Sequence, residues 1–270
     1  MNKVKLLSLS RKVCFEANQY FDFIKKKTPL IKENLRPNNP TYNYDLIIDE
    51  FIRSKLNETC IQIVSEESYS GESLNEYYWL VDPLDGSKGL NSDDDITINI
   101  ALMRNSFPIL GVINNIRTKV QYFGFGSDEN YKKTSYKKKI DKSQLRIVIS
   151  KHHLNKEDSK FIKINNIHMV QKLNSSQKFI QVADKTSDIY IRHEGSSCWD
   201  TAAGQAILES QGGKVYQLNN LERLTHENGV RNPKFIAVSR NFSIEDYDIK
   251  TKKIIINEIN NSCSWQRNST

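Results

Sequence analysis

The chain has 270 residues, 38% of them hydrophobic and 26% charged. Gly and Pro are few, which excludes fibrous and disordered classes, and a chain of this length buries roughly 70–75% of its unfolded surface. Thirty-nine Lys and Arg against 32 Asp and Glu leave a formal charge of +7, which admits a polyanionic partner, nucleic acid or a small phosphate compound, or else reflects a bias towards Lys, Asn and Ile.

Leu6, Leu9, Val13, Ala17, Phe21 and Ile24 predict an amphipathic helix over residues 4–26 that stops at Lys25-Lys26-Lys27, before Pro29. A polar loop with two prolines follows over 33–41. A second helix is predicted over 43–56, with Leu46, Ile47, Phe51, Ile52 and Leu56 facing inward. Strands are predicted at Ile61–Ser65, Tyr77–Val81, Ile96–Arg104, Ile109–Asn114 and Val120–Phe125, and their tight connections predict antiparallel pairing. The Lys- and Ser-rich stretch 127–144 marks the best lobe boundary. Beyond it come a strand at Leu145–Ser150, a helix over 155–164, a helix over 176–184 and a strand at Asp188–Arg192. A helix at Thr201–Ser210 then ends at Gly212-Gly213, and strands at Gly213–Tyr216 and Phe235–Ser239 complete the series. Strand–helix alternation predicts an α/β layer, so the chain divides into lobes 1–140 and 141–250 and a polar tail, 251–270.

Cys14, Cys60, Cys198 and Cys263 are too far apart for a metal knuckle, and predict reduced thiols in a cytoplasmic protein. No apolar run approaches the ~18–20 residues of a membrane span, and Met1–Ser10 is too short and interrupted for a signal segment. Nucleic-acid binding needs clustered basic residues with interleaved aromatics. Only Tyr131–Lys139 comes close, and it reads as a solvated loop.

The most informative stretch is Trp79-Leu80-Val81-Asp82-Pro83-Leu84-Asp85-Gly86-Ser87. An apolar strand runs into Asp82, and Pro83 is expected to stop the ladder. Asp82 and Asp85 can converge on one point with the Leu84 carbonyl between them, a donor set for a hard cation such as Mg²⁺. Gly86 permits a tight backbone, and Ser87 is expected to open a helix whose free N–H groups suit a phosphate. An ordinary Asp-Pro/Asp-Gly turn accounts for the local pattern equally well. Ser65-Glu66-Glu67-Ser68 places two more acids at the end of the preceding strand. Trp199-Asp200-Thr201-Ala202-Ala203-Gly204 opens a helix with Asp200 expected as its cap, and the small residues after it allow close backbone approach.

Glu66-Glu67, then Asp82-Pro83-Leu84-Asp85-Gly86-Ser87, then Trp199-Asp200-Thr201-Ala202-Ala203-Gly204 resemble, in that order, the inositol monophosphatase-like superfamily of Mg²⁺-dependent, lithium-sensitive phosphatases. Thr97–Leu102 and Pro108–Ile113 match it too, so the resemblance covers about residues 5–240. It implies a layered α-β-α-β-α sandwich of the sugar-phosphatase type, with most metal ligands in the first lobe. It also implies two or three Mg²⁺ ions held by Glu66, Asp82, the Leu84 carbonyl, Asp85 and Asp200, and a Ser87 hydroxyl backed by Asp45 that orients the attacking water. The segment before Asp45, Asn39-Pro40-Thr41-Tyr42-Asn43-Tyr44, departs from the family pattern at Tyr42, as does Lys88-Gly89-Leu90.

Ser150-Lys151-His152-His153 and Ser175-Ser176-Gln177-Lys178, followed by Arg192, resemble one branch, the 3′(2′),5′-bisphosphate nucleotidases. That branch implies hydrolysis of adenosine 3′,5′-bisphosphate (PAP) to AMP. Ser175, Lys178 and Arg192 would take the second phosphate, His153 the nucleotide, and Gly86, Ser87 and Asp200 would also face the substrate. An inositol monophosphatase or sugar-bisphosphatase would use the same metals without the Ser175/Lys178/Arg192 cluster. The expected partner is a small phosphorylated nucleotide, not nucleic acid or membrane, and a monomer is expected in preference to a dimer.

Overall fold

The apolar periodicity of the first segment forms helix α1 (Lys3–Lys27), capped by the Asn2 side chain, which accepts the Lys5 N–H at 3.1 Å. The computed structural model describes residues 2–33, 41–127, 144–227, 230–240, 242, 244, 247–248 and 252–254. Most of the 33–41 loop, Asn39-Pro40, the 128–143 part of the expected boundary, Tyr131–Lys139, and most of the tail, Cys263 included, lie outside the described residues. After α1 a short antiparallel pair, β1 (Lys32–Glu33) and β2 (Thr41–Tyr42), leads into α2 (Asn43–Leu56). The buried face of α2 is Tyr44, Asp45, Ile48, Asp49, Ile52 and Leu56. It is rotated from the expected face, so Leu46, Ile47 and Phe51 are half-buried. The reason is polar: Asp49 bonds Arg53 at 2.7 Å and Ser65 at 2.5 Å, and Asp45 faces the site described below.

The first sheet has the order β3 (Gln62–Ser65), β4 (Tyr77–Asp85), β5 (Thr97–Arg104), β6 (Phe107–Asn115), β7 (Gln121–Gly124). Three of its four pairings are antiparallel as expected, but β3 and β4 run parallel. The connection over 66–76 is long enough to carry the chain back to the start of the sheet. The ladder also continues past Pro83: Asp82 pairs with Asn99 and Asp85 with Thr97, so the proline sits in a bulge, where its missing N–H costs no ladder bond.

The second half supplies β8 (Arg146–Ser150), α3 (Lys156–Ile164), β9 (Met169–Leu173), α4 (Gln177–Ala183), β10 (Ile189–Arg192), α5 (Ala202–Ser210), β11 (Lys214–Gln217) and β12 (Phe235–Val238). A two-residue pair, β13 (Tyr247–Asp248) with β14 (Lys253–Ile254), follows. Its sheet has the order β11-β12-β10-β8-β9, parallel at β10/β8 and β8/β9 and antiparallel elsewhere. Strand β9 has no counterpart among the expected elements.

Alternation along the strands builds three cores. Trp79, Val81, Ile98 and Ile100 face α1 and α2, while Tyr78, Leu80 and Ala101 face Phe179, Ala203 and Ile207 of α4 and α5. Val148, Tyr190 and Phe235 close that middle layer from the second sheet, and Ile147, Ile189 and Ile236 face Phe161 of α3. The layering is therefore α-β-α-β-α, as expected, with helices on both faces of each sheet and only the edge strand β9 left exposed among the described strands of the second sheet. No helix among the described residues is long and apolar enough to cross a membrane.

Candidate active site

Parallel pairing of β3 and β4 brings the two strand ends to one rim. The Glu66 N–H donates to the Val81 carbonyl at 3.1 Å, which sets Glu66 beside Asp82. Asp82 Oδ1 accepts the Leu84 N–H at 3.1 Å across the bulge. Gly86 follows with φ +84°, and a Cβ there would lie 2.5 Å from Asn174 Nδ2, so a side chain is excluded by both conformation and space. A 3-10 turn then starts at Ser87. The last acid comes from the far side of the middle layer. Asp200 is not the cap of α5, which begins after Thr201; its Oδ2 accepts the Ser197 N–H at 3.0 Å, and this turns the carboxylate towards the rim. Close packing fixes α5 there: a Cβ on Gly111 would sit 2.7 Å from Ala203 Cα, which fulfils the expectation attached to the small residues of this helix.

Carboxylate oxygens of Glu66, Asp82 and Asp200 all lie within 4.8 Å of one another. Asp82 is 1% exposed, and its Oδ2 is buried with no hydrogen-bond partner. Burial pushes the Glu66 and Asp82 carboxyls well above the usual range, and the neighbouring acids push them further. Burial, then Asp85, raises Asp200 to about 7, against the opposing pull of the Ser197 N–H, Arg192 and Lys178. An orphaned buried oxygen among like charges fits a divalent cation: a hard ion takes oxygen donors and cancels the repulsion. Asp85 lines the same cavity, but its Oδ2 already accepts from Ser176 Oγ at 2.6 Å and Asn99 Nδ2 at 3.2 Å. Asp45 accepts the Tyr42 N–H at 2.9 Å and lies beside the Ser87 side chain, which favours its charged form. Burial raises it to about 7, with Glu67 adding to the rise.

Donors line the same cavity as the acids. Ser175, Lys178, Arg192 and His153 share one cavity of about 410 Å³ with Asp45, Glu66, Asp82, Leu84, Asp85, Gly86, Ser87 and Asp200, so every residue singled out in the sequence reaches it. Lys178 is buried and donates to the Ser175 carbonyl; burial lowers its pKa to about 8, and Arg192 adds to that shift. Ser175 holds φ +51°, and its Oγ is buried without a partner. Partial burial and then Arg192 and Lys88 push the His153 pKa down. Further residues, not singled out in the sequence, also belong to the site. Asn99 donates to Asp85 and, at 2.8 Å, to Ser176 Oγ, and Arg231 lines the rim. Asn99 had a signal: a fully buried amide inside the apolar run Ile98-Asn99-Ile100. Ser176 lay inside the noted motif, and Arg231 had no local signal.

The sequence model of the inositol monophosphatase family matches residues 6–252. A 3'(2'),5'-bisphosphate nucleotidase CysQ from Buchnera aphidicola subsp. Acyrthosiphon pisum is 37% identical over 197 residues, 68% of this chain and 74% of that protein. A protein of the same name from Salmonella typhimurium is 33% identical over 58% of this chain and 66% of its own. The crystal structure of CysQ from Bacteroides thetaiotaomicron superposes with a TM-score of 0.70 at 28% identity, covering 87% of this chain and 97% of that one.

Proposed function

The chain belongs to the inositol monophosphatase family, and from that membership we propose that it is a Mg²⁺-dependent phosphomonoesterase that hydrolyses the 3′-phosphate of PAP to give AMP and phosphate. The observation that carries this reading is the mixed lining of one cavity, clustered acids together with hydroxyl, ammonium and guanidinium donors. A monophosphate needs only the acids and their cations; a bisphosphate uses the donors as well. The relatives named 3'(2'),5'-bisphosphate nucleotidase support the same substrate.

In this reading Glu66, Asp82, the Leu84 carbonyl, Asp85 and Asp200 hold two or three Mg²⁺ ions. Bound there, the cations supply Lewis-acid chemistry, neutralising phosphoryl charge and easing loss of a proton from water. With its hydroxyl aimed at Asp45, Ser87 takes a hydrogen bond from the attacking water on its free lone pair and turns that water's own lone pair towards the 3′-phosphorus. The water oxygen–phosphorus bond forms as the bond to the 3′-oxygen breaks; the attacking water's proton passes through the Ser87 hydroxyl to the Asp45 carboxylate, and the 3′-oxygen takes a proton from solvent water. Lys178 and Arg192 hold the 5′-phosphate with the Ser175 hydroxyl, and His153 faces the nucleoside. The division of labour follows the chain, with metal ligands mostly before residue 140 and phosphate donors after it. The free Cys14, Cys60 and Cys198 fit a reducing cytoplasm.

The test is phosphate release from PAP, inositol 1-phosphate and fructose 1,6-bisphosphate, with and without Mg²⁺ and Li⁺. Lys178→Ala is expected to lower kcat/KM for PAP by about 10- to 100-fold, the worth of a charged hydrogen bond, and to change inositol 1-phosphate hydrolysis far less. Equal losses on both, or no release from PAP with Mg²⁺ present, overturn the reading.

A further inference from the structure

Asn174 ties the loop that carries Ser87 to the second sheet. It follows β9, and its Nδ2 donates to the Gly86 carbonyl at 3.2 Å and to the Asp95 carbonyl at 3.1 Å. Both partners are pure acceptors, which settles the orientation of the amide. The fit is reciprocal. A Cβ at Gly86 would lie 2.5 Å from this Nδ2 and one at Gly89 would lie 3.3 Å from it, so two glycines leave the room that one amide fills. The rest of the loop is held from the first sheet. Arg117 donates to the carbonyls of Asp94 (2.7 Å), Gly89 (2.9 Å) and Ser92, and Asn115 donates to Asp95 Oδ1 at 2.7 Å. Two residues after Asn174, Ser176 grips Asp85 at the start of the same loop.

We propose that Asn174 is a positioning residue: by fixing the Gly86 carbonyl it sets where the Ser87 hydroxyl stands against Asp45, and with it the line of attack on phosphorus. This rests on the role given to Ser87 above. Gly86 is the softest point of the loop, a left-handed residue without a Cβ whose carbonyl also closes the 3-10 turn by accepting the Gly89 N–H at 2.8 Å. Released from the amide, that peptide can rotate and carry Ser87 with it. In-line attack tolerates little misplacement; a shift of about 1 Å costs about 100-fold.

The experiment is a double-mutant cycle between Asn174 and Ser87, read on every phosphate ester the parent enzyme cleaves. Asn174→Leu keeps the branched shape and removes the donor; Asn174→Ala removes both and serves in its place should the leucine variant not fold. The expected result is a 10- to 100-fold fall in kcat with KM and melting temperature nearly unchanged. In a Ser87→Ala background the same substitution is expected to cost nothing more, because the group it positions is gone. Full activity in Asn174→Leu, or an equal loss in both backgrounds, overturns the proposal. Absence of PAP hydrolysis by the parent overturns the substrate reading instead, and leaves the cycle measurable on inositol 1-phosphate. A parent that cleaves none of these esters overturns both.

Discussion

Asp82 concentrates the conflict on which the site is built: a carboxylate that is fully buried, flanked by Glu66 and Asp200, with one oxygen unpaired. Asp82→Asn removes a repelling charge at nearly constant volume. Phosphate release is expected to fall by more than about 100-fold. The metal-free variant is expected to melt no lower than the parent, and the rise in melting temperature on adding Mg²⁺ is expected to vanish. Calorimetry with and without Mg²⁺ checks this, and near-normal turnover would remove Asp82 from the metal-holding set. The acids were legible in the sequence through the order of three short stretches, Glu66-Glu67, Asp82-Pro83-Leu84-Asp85 and Trp199-Asp200, since each alone reads equally well as a solvated turn or a helix cap. Asn99, Ser176 and Asn174 were not singled out, because their partners are distant in the chain: Ser176 meets Asp85 across 91 residues and Asn174 meets Gly86 across 88. Tyr42, the departure before Asp45, leaves the acid in place, since its role there is played by a backbone N–H that any residue but proline supplies.

At the scale of elements, the position of Asp200 depends on how closely α5 approaches β6. Gly111 faces the α5 backbone at Ala203, and Gly204 faces the Phe179 ring, where a Cβ would come within 2.5 Å of Cδ2. Gly111→Ala therefore cannot be absorbed by a side-chain rotation; the helix has to move. A loss of about 1–3 kcal/mol in urea unfolding is expected, with a fall in kcat, because α5 carries Asp200 at its start. Unchanged stability would show that the layers separate more easily than their packing implies. The helices and central strands were legible because their apolar periods are strong. Strand β9 was not, since Met169–Lys172 are exposed and an edge strand without a buried face carries no alternation; its ladder with β8 alone defines it. The parallel pairing of β3 with β4 also escaped, because register records the path of residues 66–76, not the composition of the strands.

For the molecule as a whole, a basic chain of +7 folds around a pocket of clustered acids, and this arrangement makes its stability depend on pH in a defined direction. Asp45 and Asp200 hold their protons up to about 7, whereas an exposed aspartate releases its proton near 4. Between those values the folded chain binds more protons than the unfolded one. The stability these carboxyls contribute is therefore fully present below about pH 4 and is lost as pH rises through about 7. Glu66 and Asp82 shift the same way and add to the loss. A divalent cation binds the deprotonated carboxylates, so it competes with protons and restores stability where the metal-free protein is weakest. Mg²⁺ at about 100 times its dissociation constant contributes about 2.7 kcal/mol, roughly 5–10 °C in melting temperature for a chain of this size. The expected result is a Mg²⁺-induced rise that is large at pH 8 and small at pH 5.5, measured against EDTA-treated protein. Asp82→Asn is expected to flatten the dependence. A Mg²⁺ effect of equal size at both pH values would separate cation binding from the buried carboxylates and assign it to the surface.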